Sequence, residues 1–110
     1  MILTIFTPTY NRQDKLSRVY DSLRCQNSAL FEWLIVDDGS EDSTEKLVNS
    51  FIKEKKILIK YIRQNNGGKH VAYNTALNYA EGEYFFCVDS DDWIEDNFID
   101  KFNEVILPTA

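Results

Sequence analysis

Apolar and polar positions along the chain follow two periods in turn. Four short runs of near-continuous apolar, β-rich character read as strands: Ile2–Thr7, Phe31–Val36, Ile57–Ile62 and Glu83–Val88. After each run the apolar residues return at every third or fourth position. Residues 13–26 place Leu16, Val19, Tyr20 and Leu23 on one helical face. Asp42-x-x-Glu45 has the form of a capping box opening a helix through about Lys55, with Leu47, Val48, Phe51 and Ile52 inward. Residues 69–80 carry Ala72, Ala76, Leu77 and Ala80, and residues 95–106 offer Phe98, Ile99, Phe102 and Ile106. The order β-α-β-α-β-α-β-α predicts a mainly parallel sheet between helical layers, an α/β three-layer α-β-α sandwich. Its crossovers should be right-handed.

Ligands of such sheets bind outside the carboxyl ends of the strands. Each unusual polar cluster falls at one of those ends: Thr7-Pro8-Thr9-Tyr10, Asp37-Asp38-Gly39-Ser40, Asn66-Gly67-Gly68-Lys69 and Asp89-Ser90-Asp91-Asp92. Asp37 or Asp38 can accept hydrogen bonds from a base N–H or ribose hydroxyls, or simply close a turn. Gly67-Gly68 at a helix start can present backbone N–H groups to a phosphate, with Lys69 adding charge. No Gly-x-x-x-x-Gly-Lys-Ser/Thr loop occurs, so this is not a Walker motif. Three carboxylates within Asp89–Asp92 repel one another unless a cation lies among them, and oxygen ligands suit magnesium or manganese. The competing reading is a solvated loop that caps the next helix. Tyr10 and Trp93 can stack on a ring or pack at the rim. Arg12 can reach a phosphate or pair with an acid. His70, the one histidine, reads as a surface or packing residue.

Composition narrows the classes. The chain has 110 residues, the size of one domain, and 44% hydrophobic residues can build a core. A net charge of −6 argues against general affinity for nucleic acid or an anionic membrane. Cys25 and Cys87 lie in apolar or helical surroundings without a Cys-x-x-Cys pair. Both are expected to be buried free thiols in a reducing compartment. No apolar run approaches the roughly 20 residues of a membrane span. The N-terminal residues read as a strand rather than a signal peptide. The expectation is a cytoplasmic protein.

Taken together, Thr7-Pro8-Thr9-Tyr10-Asn11-Arg12, Val36-Asp37-Asp38-Gly39-Ser40, Asn66-Gly67-Gly68-Lys69 with Ala72 and Asn74, Ala80-Glu81-Gly82-Glu83-Tyr84 and Val88-Asp89-Ser90-Asp91-Asp92 carry a resemblance in order and spacing. The set resembles the nucleotide-sugar-binding half of a family 2 glycosyltransferase with a Rossmann-like GT-A fold. The resemblance spans residues 1–110 as the nucleotide-sugar-binding part, with the acceptor-binding half absent. It implies transfer of a sugar from a nucleoside diphosphate donor, often uridine diphosphate, to a saccharide or lipid-linked acceptor hydroxyl, with inversion, as in polysaccharide synthesis. It implies donor contacts at Thr7, Pro8, Tyr10, Asp38, Gly68, Lys69, Asp89 and Ser90. Pro8 and Tyr10 would wall the base, Asp38 would pair with it, and Asp89 would lie near the ribose and sugar. Asp91, with Asp89, would hold a divalent manganese or magnesium ion. The general base is expected beyond Ala110, so the chain alone should bind donor and metal but transfer little sugar. The full-length protein is expected peripherally at the inner membrane face, and the truncated sheet is expected to favour self-association. Two other readings stay open: a non-catalytic nucleotide-binding or assembly module of the same fold, and a receiver-type or phosphatase-type domain. The last lacks the aspartates that it needs after strands one and three.

Overall fold

The computed structural model describes residues 3–26 and 30–106. Its elements follow the expected order: β1 (Leu3–Thr9), α1 (Gln13–Arg24), β2 (Phe31–Asp37), α2 (Thr44–Glu54), β3 (Leu58–Arg63), α3 (Lys69–Tyr79), β4 (Tyr84–Cys87) and α4 (Phe98–Ile106). Ile2, the expected first strand residue, and the side chain of Ile106 lie outside the described residues. The four strands are parallel in the order β3-β2-β1-β4.

The central strands show why the apolar runs are continuous. Every residue of β2 is buried. Phe31, Trp33 and Ile35 pack with Leu16, Val19 and Leu23 of α1, Val48 and Phe51 of α2 and Ile99 of α4. Leu34 and Val36 face the other way and pack, with Phe6, on Ala72 and Ala76 of α3. Helices therefore cover both faces, and the three-layer expectation holds. Ile52 and Leu77, which the helical period places inward, are exposed. Each lies one position round its helix from the residue that makes the contact, Phe51 and Ala76. Cys25 and Cys87 are free as expected but exposed rather than buried. Cys25 follows the last turn of α1, and Cys87 ends a strand that pairs only with β1 among the described residues.

The amino-terminal side of the sheet is tied by a buried carboxylate. Glu32 accepts from Thr4 Oγ1 at 2.5 Å and Glu81 N at 2.7 Å, and Lys60 Nζ lies 2.9 Å away. Gly82 N donates to Thr4 Oγ1 at 2.9 Å, and a Cβ on Gly82 would come within 2.5 Å of Thr4 N. Glycine is thus what lets the α3–β4 turn lie against β1.

The connections leave one crevice. The chain passes from β1 to β2 and β3 on one side, then crosses to β4 on the other side of β1. Such a reversal opens a cleft between the carboxyl ends of the two strands where the winding changes, here β1 and β4. Among the described residues no helix is long and apolar enough to cross a membrane.

Candidate functional site

A cleft of about 330 Å³ occupies that crevice. Pro8, Thr9, Tyr10 and Arg12 line it from the end of β1, Asp38 from the end of β2, Lys69 and Ala72 from α3, and Asp89, Ser90 and Asp91 from the end of β4. The four polar turns singled out in the sequence therefore meet at one rim.

The β1 turn is held by its neighbour. Asn11 adopts a φ of 52°, a left-handed conformation that asparagine tolerates. Its N–H donates to Ser40 Oγ at 2.8 Å, and its side-chain oxygen accepts from Glu41 N at 2.8 Å. This clamp fixes the segment that presents Tyr10 to the cleft. Thr9 Oγ1 is buried there without a hydrogen-bond partner among the described residues. A buried hydroxyl of that kind ordinarily finds a partner.

The two adjacent aspartates have different jobs. Asp37 is fully buried and accepts from Ser40 N at 2.8 Å and from the Tyr61 hydroxyl. Burial and the Asp37 carboxylate both push the Tyr61 phenol well above its ordinary range. Asp38, only 8% exposed, accepts from Gln64 Nε2 and Gly67 N at 2.8 Å each and from Gly68 N at 3.0 Å. Burial opposes its ionisation, but these three bonds outweigh it and hold the carboxyl below the ordinary carboxylate value. A carboxylate can accept about four hydrogen bonds. Three are accounted for, so one acceptor position remains for a ligand.

That arrangement revises one sequence expectation. The N–H groups of Gly67 and Gly68 are taken up by Asp38, so they are not the phosphate cradle that a glycine pair at a helix start suggests. Gly68 instead earns its place by conformation. Its φ of 94° and ψ of 169° lie in a region open essentially to glycine alone.

At the end of β4, Asp89 and Asp91, which line the cleft, and Asp92 beside them each offer an oxygen, all within 4.8 Å of one another. The Asp92 N–H bonds to the Asp89 carbonyl at 3.0 Å, which curls the chain into the turn that gathers them. An all-oxygen set of this kind fits a hard divalent cation, which commonly takes one or two carboxylates and fills its shell with water and phosphate. Lys69 Nζ sits 3.0 Å from Asp89, and that hydrogen bond raises the lysine's pKa.

Not every candidate reaches the cleft. Thr7 Oγ1 lies inside the core, accepting from Trp33 Nε1 at 2.9 Å. Gly68, His70 and Trp93 are absent from the lining. Trp93 is exposed and takes the Arg18 guanidinium over its ring at 4.8 Å. Conversely, the structure adds Thr9, Ala72 and, behind Asp38, Gln64. Residue type gave no sign of Gln64, since only the folded β3–α3 loop brings it to Asp38.

Comparison with known proteins agrees with this geometry. Residues 4–107 match the family described as Glycosyl transferase family 2. Glycosyltransferase GlyA of Streptococcus pneumoniae is 36% identical over 105 residues, covering 96% of this chain and 15% of GlyA. Staphylococcus aureus TarS, crystallised with UDP-GlcNAc, superposes with a TM-score of 0.89 at 33% identity, over 96% of this chain and 31% of that one. Mannosyltransferase PcManGT from Pyrobaculum calidifontis, in complex with GDP-Man and Mn2+, superposes with a TM-score of 0.77 at 28% identity, over 81% of this chain and 27% of that one. The chain spans less than a third of the length of each of these relatives. With residues 4–107 matched and the sheet shared, the chain belongs to glycosyl transferase family 2 and has its GT-A fold.

Proposed function

We propose that these residues form the donor site of a metal-dependent glycosyltransferase that uses a uridine diphosphate sugar. One observation carries the reading: a single cleft is lined by a buried, ionised carboxylate, Asp38, and by Asp89 and Asp91 of a three-carboxylate cluster. The first suits an N–H of a nucleobase. The second suits a cation paired with a diphosphate. TarS, at 33% identity, has been crystallised with UDP-GlcNAc, and PcManGT with Mn2+, which supports both assignments.

In this reading Asp38 accepts the base N–H through its remaining acceptor position, and Pro8 and Tyr10 wall the base. Asp91 and Asp89 hold manganese or magnesium, which when bound supplies a Lewis acid for the leaving diphosphate. Without a cation, the three carboxylates would repel an anionic donor. Lys69, released from Asp89, and Arg12 add positive charge where the diphosphate oxygens gain negative charge. The bond from the anomeric carbon to the diphosphate oxygen breaks as a bond to an acceptor hydroxyl oxygen forms on the opposite face, inverting the centre. The hydroxyl proton goes to a general base. We place that base, and the residues that bind a saccharide or lipid-linked acceptor, in a longer polypeptide such as the relatives have.

Calorimetric titration with uridine diphosphate tests the reading. The expected result is saturable binding that tightens when manganese is added and weakens at least tenfold in Asp38→Ala, as loss of a hydrogen bond to a charged group implies. No binding with or without manganese would overturn it.

A further inference from the structure

We propose that Gln64 is a positioning residue for nucleobase recognition, acting through Asp38. The inference rests on the donor reading above and adds a residue that touches neither diphosphate nor cation in it.

The geometry is a relay of directed hydrogen bonds. Thr75, within α3, donates its hydroxyl to Gln64 Oε1 at 2.7 Å. With its oxygen engaged by a donor, the amide presents Nε2 the other way, and Nε2 donates to Asp38 Oδ1 at 2.8 Å. The Gln64 backbone is fixed as well, its N–H bonding to the Asp37 carbonyl at 2.9 Å. Gly39, at φ 83°, passes close over this segment, with its Cβ position 3.3 Å from the Gln64 carbonyl. Gln64 is thus held at both ends, and its side chain links Thr75 of α3 to Asp38.

The consequence falls on one oxygen. Oδ1 of Asp38 has two donors, Gln64 and Gly67, whereas Oδ2 has one, Gly68. Oδ1 thus has both acceptor positions filled, and the open one belongs to Oδ2. Without Gln64 the carboxylate can rotate and share its two backbone donors in more than one way. The acceptor offered to the base would then lose its fixed direction. A hydrogen bond to a base depends steeply on angle. The diphosphate end, built from Asp89, Asp91 and Lys69, makes no use of this relay.

The test separates the two ends of the ligand. Binding of uridine diphosphate and of inorganic pyrophosphate, each with manganese, is measured for the wild type, Gln64→Ala, Gln64→Glu and Thr75→Ser. Gln64→Ala should weaken uridine diphosphate about tenfold, the loss expected when one charge-assisted bond goes. Gln64→Glu, which sets a second carboxylate against Asp38, should weaken it further. Pyrophosphate affinity should stay within about twofold in both, which a merely unfolded variant would not achieve, and Thr75→Ser should retain wild-type binding. Carbon-13 titration of the Asp38 carboxyl gives a readout that needs no ligand: in Gln64→Ala its midpoint should move up toward the ordinary carboxyl value. Unchanged uridine diphosphate affinity in Gln64→Glu, or an equal loss for both ligands, would overturn the role of Gln64 while leaving the donor reading intact. Failure of the wild type to bind uridine diphosphate would overturn both.

Discussion

Asp38→Asn replaces one atom and should still cost the fold dearly. The carboxylate accepts three hydrogen bonds, two at Oδ1 and one at Oδ2, at 2.8 to 3.0 Å. Asparagine has one acceptor oxygen and one NH2. With the oxygen toward Gln64 and Gly67, its NH2 confronts the Gly68 N–H. With the oxygen toward Gly68, it confronts two donors. The first arrangement is the less costly. It leaves two bonds to a neutral acceptor, each weaker by about 1 kcal/mol than to a charged one, and one backbone N–H without a partner. Solvent reaches the loop, since Gly67 is exposed, and offsets part of that loss. A net destabilisation of about 2 kcal/mol follows, or a fall in Tm of roughly 8 °C for a domain of this size. Urea unfolding followed by fluorescence checks it, with Trp33 fully buried against Tyr20 and Phe51 as reporter. A change below about 0.5 kcal/mol, the ordinary scatter of surface substitutions, would refute the claim that this carboxylate organises the glycine loop.

Other expectations follow from the same geometry. Gly68→Ala must adopt φ 94° with a side chain, and although the space beside it is open to 3.6 Å, it should lose about 1–3 kcal/mol in thermal unfolding. Gly82→Ala meets backbone rather than a movable side chain, Thr4 N at 2.5 Å and Leu3 C at 2.7 Å, and should cost at least as much; an unchanged Tm would count against the close turn. Glu32, Asp38 and Asp42 are all held below the ordinary carboxyl value, because hydrogen bonds outweigh the burial that opposes ionisation. A lowered folded pKa adds stability above the unfolded value of about 4 that is lost as pH falls through the folded values, so stability should be level from about pH 7 to 5 and drop below about pH 4. Stability rising toward pH 3 would contradict this. Lys69→Ala should leave stability within about 0.5 kcal/mol, because its pair with Asp89 is solvent-exposed, while manganese affinity without nucleotide rises as Asp89 is freed. Equal or weaker manganese binding would argue against Asp89 as a ligand.

Much of this was legible because the physics was local. A parallel sheet buried on both faces calls for apolar residues on both sides of a strand, and Phe31 to Val36 supplies them at every position but Glu32. The polar turns were legible because a run that stops at Asp-Asp-Gly-Ser or Asp-Ser-Asp-Asp cannot continue as core. What failed was long-range. Glu32 breaks an apolar run and gave no sign of the lysine and turn that it holds across the sheet. Asp37 and Asp38 are chemically identical in sequence, and only the fold gives one to Ser40 and Tyr61 and the other to the glycine loop and the cleft. The expected capping box does not form: α2 opens at Thr44 behind Ser43, and Asp42 accepts instead from Thr44 N at 3.0 Å and from the N–H of Gln13, the first residue of α1. Gly67 and Gly68 looked like phosphate ligands because a sequence cannot reveal that an acid 29 residues away claims the first N–H. Thr7 and Thr9 lie two residues apart on one strand, yet the indole of Trp33 donates to the first hydroxyl while the second is buried without a partner among the described residues.

The central claim is that one ligand spans from Asp38 to the Asp89–Asp92 turn. Nuclear magnetic resonance of the chain titrated with uridine diphosphate, with manganese as a paramagnetic probe, tests it most directly. The account predicts that nucleotide shifts the amides of Asp38, Gly67 and Gly68, while manganese broadens those of Asp89 to Trp93, both saturating with a single stoichiometry. Nucleotide shifts confined to another surface, or manganese broadening far from Asp91, would contradict it.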